Sequence, residues 1–153
     1  MIPGGHLLTI LIFFPAIGAL ALLLLRGDDH KYIRILALIV SIVEFVFSLG
    51  LLLPSVMTSS VVGSYHLVEH VAWIKSPQIS YYLGVDGISM FLVLLTTFLT
   101  LISVLASWKS IERRVKEFFV MLLMLEVGVV GVFLSLDLFL FFLFWEVMLI
   151  PMA

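Results

Sequence analysis

Five long apolar stretches determine what this chain can fold into. A membrane-spanning helix needs roughly 20 mostly apolar residues to cross about 30 Å of hydrocarbon. Candidate spans cover about residues 6–25, 32–53, 88–108, 118–136 and 138–153. Of the 153 residues, 63% are hydrophobic and only 12% are charged, whereas soluble domains have about 45–50% apolar and about 25% charged residues. The sequence therefore predicts an all-α polytopic membrane protein with about five transmembrane helices, and it excludes a soluble enzyme or a nucleic-acid-binding protein.

The basic residues predict how these helices are oriented. All but one of the 8 Lys and Arg residues lie in the connections after the first and third stretches, and the remaining one is Lys75 in the 54–87 connection. Basic residues flank the cytoplasmic ends of membrane helices. We therefore expect the N-terminus and the 54–87 loop to lie outside the cell inner (plasma) membrane. No basic residue precedes the first stretch, so we expect a retained helix rather than a cleaved signal.

The 54–87 connection predicts a short extracytoplasmic β-hairpin. Two β-prone runs, EHVAWI (69–74) and ISYYLGV (79–85), flank the turn-like sequence KSPQ, which is typical of a hairpin. Asp86 is expected to cap the helix that follows. This organisation divides the chain into segments 1–53 (first two helices), 54–87 (loop with hairpin) and 88–153 (remaining helices).

Metal and redox chemistry are not expected in this chain. His66 and His70 have no Cys or further His beside them, which argues against a metal site. The sequence contains no Cys, and this excludes disulfides and thiolate-bound iron–sulfur clusters. Any redox role must therefore belong to a partner.

Three carboxylates, Glu44, Glu126 and Glu146, lie well inside the predicted spans. An ionised side chain near the centre of a bilayer costs roughly 2.5–3.5 kcal/mol or more. Desolvation favours the protonated carboxyl, whereas a nearby cation favours the charged form. A carboxyl balanced between these effects can load and release a proton near neutral pH, so the pattern predicts a proton relay.

The three acids differ in their local sequence. Glu146 is the main candidate for the relay, because Pro151 frees a backbone carbonyl one turn earlier and interrupted helices beside ionisable residues recur in transporters. Glu126 is a tentative second candidate, because Gly128 and Gly131 would let another helix approach closely.

Glu44 has no comparable neighbours in the sequence and is better explained as a structural residue. No Lys, Arg or His lies deep within any predicted span, so a cation that tunes the relay would have to come from elsewhere. As a helix, the last stretch reaches only roughly 24 Å at about 1.5 Å per residue. Both observations lead us to expect the front part of a longer polypeptide.

Two motifs carry a family resemblance. YYLGVDGISMFLVLLTTFL and GVFLSLDLFLFFLFWEVMLIPM closely resemble subunit M of bacterial NADH:quinone oxidoreductase (respiratory complex I), whose mitochondrial counterpart is chain 4. The resemblance is collinear over the whole chain and strongest over residues 79–152. The motif around FWEVMLIPM is long and specific.

The resemblance implies an antiporter-like subunit with a 14-helix fold built from two inverted five-helix repeats, of which this chain would be the first part. It places Glu146 on a family glutamate that pairs with a lysine of a later helix. It also implies that NADH, FMN, iron–sulfur clusters and quinone bind to partner subunits and that this chain binds no cofactor. Its partners would be the other membrane subunits and the lipid bilayer.

Two alternatives remain open at this point. The chain could belong to a multisubunit cation/proton antiporter or a membrane-bound hydrogenase, whose related subunits share the glutamate. It could also be a non-catalytic membrane scaffold whose buried acids are only hydrogen-bonded.

Overall fold

The computed structural model describes residues 6–54 and 65–152, which form five α-helices and one β-hairpin. The elements are α1 (Leu7–Leu24), α2 (His30–Leu49, followed by a 3₁₀ turn at Gly50–Leu52), β1 (His66–Ile74), β2 (Ile79–Val85), α3 (Gly87–Ser110), α4 (Val115–Leu134) and α5 (Leu138–Met152). Among the described residues, α1 to α4 are long and apolar enough to cross a membrane, whereas α5 is apolar but shorter. The predicted fold class is confirmed.

Helix α4 is the centre of the structure. It packs against α1, α2, α3 and α5 and also touches β2. Side chains on several of its faces are therefore buried, among them Phe119, Leu123 and Val130. Any side chain on α4 that points inward meets another helix rather than lipid.

The buried apolar residues form two clusters at opposite ends of the bundle. One contains the start of α1, the hairpin and the end of α4, including Leu8, Leu83 and Leu134. The other contains the end of α1, the start of α2 and the start of α4, including Leu22 and Phe119. On α2, α3 and α4, the buried side chains between these two clusters are polar.

The hairpin agrees with the predicted antiparallel pair, although β1 begins at His66 rather than at Glu69. Asp86 caps α3 as expected: its carboxylate accepts a hydrogen bond from the backbone N–H of Ser89 at 2.7 Å, and the Ser89 hydroxyl accepts one from the backbone N–H of Asp86 at 2.9 Å. Asp137 similarly accepts from the backbone N–H groups of the first turn of α5. Asp137 also accepts from the backbone N–H of Ser80 at 3.2 Å, which ties the hairpin to the start of α5.

A hydrogen-bond network joins the hairpin to the start of α1. Glu69 on β1 accepts hydrogen bonds from the backbone N–H of Leu8 at 2.8 Å and from the hydroxyl of Thr9. Because Thr9 donates its only hydroxyl proton to Glu69, Tyr81 is the donor in the 2.9 Å contact between the two hydroxyls. Burial, followed by the Glu69 charge, raises the pKa of the Tyr81 phenol. The net increase keeps the donor protonated.

Candidate functional site

Glu146 lies on the exposed surface of the described helices. The buried residues of α5 are Leu140 and Phe144, which face α4. Glu146 follows Phe144 by two positions, which corresponds to about 200° around a helix. Its side chain is therefore turned away from α4 and is exposed, as is that of Trp145 beside it.

Glu126 has the opposite environment. Its side chain is 1% exposed and points from α4 into the bundle. Glu44, on the neighbouring helix α2, is 0% exposed, and the two carboxyls are near enough for their charges to interact. The structure thus brings together two of the three acids identified in the sequence and leaves the third, Glu146, on another surface.

The two glutamates belong to a larger group that we call the buried polar cluster. It comprises all the buried polar or charged side chains among the described residues: Ser41, Glu44, Ser48, Thr97, Thr100 and Glu126. Three come from α2, two from α3 and one from α4. The Ser48 and Thr97 hydroxyls lie 2.8 Å apart and link α2 to α3.

The hydroxyls of the cluster already have acceptors for their protons. Each lies 2.7–3.0 Å from a backbone carbonyl three or four residues earlier in its own helix: Ser41 from Ala37, Ser48 from Phe45, Thr97 from Leu94 and Thr100 from Thr96. Because Ser48 and Thr97 also bond each other, one of these two donates to the other hydroxyl instead of to its carbonyl. A hydroxyl has one proton to donate and two lone pairs that accept. The cluster therefore offers the glutamates hydrogen-bond acceptors but few donors.

Neither carboxyl has a hydrogen-bond partner among the described residues. All four side-chain oxygens of Glu44 and Glu126 are buried and unpaired. The Thr100 hydroxyl faces the carboxyl of Glu126, but the geometry of this contact falls short of a hydrogen bond. Buried polar atoms are normally paired, so these four oxygens are a distinctive feature of the structure.

The sequence did not predict the surroundings of Glu44. Its neighbour Glu126 lies on a different helix, so the local sequence around Glu44 gave no indication of it. A signal was nevertheless present, because Ser41, Glu44 and Ser48 recur at helical spacing on one face of α2. Thr97 and Thr100 have the matching spacing of three on α3.

Gly128 and Gly131 allow close packing, as predicted. A Cβ atom at Gly128 would lie 2.7 Å from the backbone nitrogen of Met148, and one at Gly131 would overlap the ring of Phe144. The helix that approaches is α5. Among residues 6–54 and 65–152, no group of three or more His, Cys, Asp or Glu residues is placed to hold a metal ion.

Comparison with known proteins identifies the family. The family model described as "NADH-ubiquinone oxidoreductase chain 4, amino terminus" matches residues 8–132. The chain belongs to this family. It is a multi-pass membrane protein, with four apolar helices among the described residues that are long enough to cross a bilayer.

Members of the chain 4 family from plants and bacteria are clearly similar to this chain. It is 37% identical over 142 residues to NADH-ubiquinone oxidoreductase chain 4 of Arabidopsis thaliana, covering 93% of this chain and 28% of the relative. It is 34% identical over 151 residues to NADH-quinone oxidoreductase subunit M of Rickettsia felis, covering 95% of this chain and 30% of the relative. The chain thus spans less than a third of the length of these relatives.

A solved structure shares the fold of this chain 4 family member. A chain of the membrane-bound sulfane sulfur reductase, an archaeal respiratory membrane complex, matches with a TM-score of 0.69 and 21% sequence identity. The match covers 93% of this chain and 21% of the other chain. At this identity the likeness supports the helical fold alone.

Proposed function

We propose that this chain forms the amino-terminal membrane part of a proton-translocating subunit of NADH:quinone oxidoreductase, with Glu146 as a proton-carrying carboxyl. Family membership and the similarity to subunit M and chain 4 proteins support this proposal. NADH oxidation and quinone reduction would take place in partner subunits that hold NADH, FMN, iron–sulfur clusters and quinone. This chain would contribute proton transfer and bind none of these cofactors.

The position of Glu146 is the observation that carries the proposal. Glu146 lies eight residues into α5, which is roughly 12 Å along the helix at about 1.5 Å per residue. An exposed carboxyl at that depth would meet hydrocarbon, where its charge is costly. Contact with a further helix that carries a cation resolves this cost, and it would also let the carboxyl gain and lose a proton.

The orientation follows from the distribution of basic residues. The N-terminus and the 54–87 loop lie outside the inner (plasma) membrane, and the connections rich in Lys and Arg lie in the cytoplasm. The other membrane subunits of the complex and the bilayer are the partners. Glu126 is a second proton-carrying carboxyl, and it lies on the face of α4 that is turned away from α5.

The test replaces Glu146 with Gln in the intact respiratory complex. Glutamine keeps the size of the side chain but cannot exchange a proton, so we expect NADH-driven proton pumping in membrane vesicles to fall several-fold. The variant subunit should copurify with the other subunits of the complex at the parental level, which shows that the complex has assembled. Glu117→Gln is the matched control, because Glu117 is exposed and makes only a surface ion pair with Arg114.

Two results would separate the alternatives. If the Glu146→Gln complex pumped protons at the parental rate, the relay role of Glu146 would be contradicted and the hypothesis of a non-catalytic scaffold would be favoured. Proton transfer that persists without NADH oxidation and depends on a second cation would instead favour a cation/proton antiporter.

A further inference from the structure

We infer that Glu44 and Glu126 form a proton reservoir: both carboxyls are neutral acids at rest, and the pair releases one proton at a time. This inference deepens the proposed function, because it gives Glu126 a partner and assigns a site to Glu44.

Charge on either carboxyl would be unsupported. The side chains are 0% and 1% exposed, and none of their four oxygens has a hydrogen-bond partner among the described residues. A buried carboxylate normally requires a cation or several N–H or O–H donors. The protonated acid needs neither, and it brings a donor of its own.

The titratable groups on the surrounding helices do not supply a cation. Within their described ranges, α1 carries none, α3 carries only Lys109, near its end, and α5 carries only Glu146. On α4 the other charged groups are Lys116 and Glu117 in the first turn, more than 12 Å along the helix from Glu126 at about 1.5 Å per residue.

On α2 the titratable groups other than Glu44 lie in its first two turns. They are His30, Lys31, Tyr32 and Arg34. Arg34 is the closest of them along the helix, about 15 Å from Glu44 at about 1.5 Å per residue. It donates to the backbone carbonyl of Ile111 at 2.8 Å, which directs it away from the pair.

The hydroxyls of the cluster favour the acid over its anion. Their protons are directed to backbone carbonyls or, between Ser48 and Thr97, to the other hydroxyl, so none is free to donate to a carboxylate. The Thr100 hydroxyl, which lies near Glu126, donates to the backbone carbonyl of Thr96 at 3.0 Å, so it would have to break that bond to donate to a carboxylate. The cluster is therefore built to hold protonated carboxyls.

The proximity of the two acids sets how many protons can leave. Once one carboxyl ionises, its charge acts on the other across a medium of low polarity and opposes a second ionisation. Interacting groups of this kind titrate in two separate steps that belong to the pair. The working capacity of the reservoir is one proton.

Infrared spectroscopy of the full chain in lipid bilayers tests the reservoir. A protonated carboxyl has a C=O stretching band that the carboxylate lacks. The proteins to compare are the parent, Glu44→Gln, Glu126→Gln, the double variant and, as the matched control, Glu117→Gln. At neutral pH we expect each single variant to lose about half of the band that the double variant loses, and the control to lose none.

A titration to high pH tests the coupling. The parent should lose this band in two steps, whereas each single variant should lose its remaining half in one step at a pH between those two. A parental band equal to that of the double variant at neutral pH would overturn the neutral pair. One step at the same pH in all three proteins would overturn the coupling.

Thermal unfolding provides a second readout. Glutamine is neutral and nearly isosteric with glutamic acid, so single Gln variants should unfold within a few degrees of the parent if the acids are neutral at rest. A large rise in unfolding temperature would mean that a buried charge had been removed, and it would contradict the inference. These measurements report whether Glu44 and Glu126 are protonated, and they need no turnover. The reservoir can therefore be contradicted while the pumping test supports Glu146, and the pumping test can fail while the reservoir is supported.

Discussion

The carboxylate of Glu69 caps helix α1 from 61 residues away, where it accepts the backbone N–H of Leu8 at 2.8 Å. The first N–H groups of a helix have no partner within the helix. His6, at the N-cap position of α1, makes no side-chain cap hydrogen bond. The hairpin supplies the missing acceptor, and the negative charge of Glu69 also suits the positive end of the helix dipole.

Replacing Glu69 with Ala should therefore destabilise the protein. We expect the free energy of unfolding to fall by about 1–2 kcal/mol, the usual cost of losing an N-terminal cap. Glu69→Gln keeps an oxygen acceptor and should lose less. Thermal unfolding in detergent measures both, with Glu112→Ala as the control, since Glu112 is an exposed acid. Equal unfolding temperatures for Glu69→Ala and the control would contradict the capping role.

Lys116 performs the complementary task at the other end of α1. Its ammonium group donates to the backbone carbonyls of Leu23 and Leu25, both at 2.8 Å. Hydrogen bonds that involve a charged group contribute about 1.5–3 kcal/mol when well formed. We expect Lys116→Met to lower the unfolding temperature by several degrees and Lys116→Arg to restore part of the loss.

The control for this prediction is Lys31→Met. Lys31 is exposed and lies at the same end of the bundle, so its replacement removes an equal charge without breaking a helix cap. If both methionine variants were destabilised equally, the effect would come from net charge rather than from the two hydrogen bonds.

The contact between α4 and α5 should be intolerant of a single methyl group. At Gly128 a Cβ atom would lie 2.7 Å from the nitrogen and 2.8 Å from the Cα of Met148, and backbone atoms cannot rotate away. Overpacking of this kind costs about 1–3 kcal/mol. Gly128→Ala should therefore lower thermal stability clearly. Gly50→Ala is the matched control, because Gly50 has helical dihedral angles and open space around it, and it should be neutral or slightly stabilising.

Asp86 should contribute a pH-dependent part of the stability. The backbone N–H of Ser89, followed by the Ser89 hydroxyl, lowers the pKa of Asp86 below its usual value. Because the pKa is lower in the folded state, the stabilisation is complete above the unfolded pKa of about 3.9. It is lost as the pH falls through the folded pKa.

Asp86→Asn keeps an acceptor but does not titrate. The stability difference between parent and variant should therefore be constant near pH 7 and shrink below about pH 4. Thermal unfolding measured from pH 7 to pH 3 checks this prediction. Parallel curves over the whole range would show that the carboxylate charge of Asp86 contributes nothing to the cap.

Most of the fold was predictable because the signals that define each helix lie within or next to its own sequence. The apolar runs, the KSPQ turn and the cap Asp86 all act within a few residues of where they stand, and the structure confirms them. The start of β1 was wrong by three residues, because pairing with Val85 extends the strand back to His66. The division into segments 1–53, 54–87 and 88–153 and the relay role of Glu146 stay predictions.

The buried site was harder to predict because it depends on which helices are neighbours. Glu44 and Glu126 are ordinary apolar-helix acids in the sequence, and only the packing of α2 beside α4 makes them a pair. Hydropathy cannot supply this information, because every helix here is apolar around most of its circumference. Glu69 and Lys116 were missed for the same reason, since each acts on a helix far away in the chain.

The pairing of Glu44 with Glu126 also affects how the protein is made. The ribosome completes α2 roughly 80 residues before Glu126 is synthesised, a delay of about 4–16 s at about 5–20 residues per second. During this interval Glu44 enters the insertion machinery without its eventual neighbour. The neutral acid crosses into lipid far more easily than its anion. The protonated state that Glu44 has in the finished bundle therefore also assists the membrane insertion of α2, before Glu126 has been made.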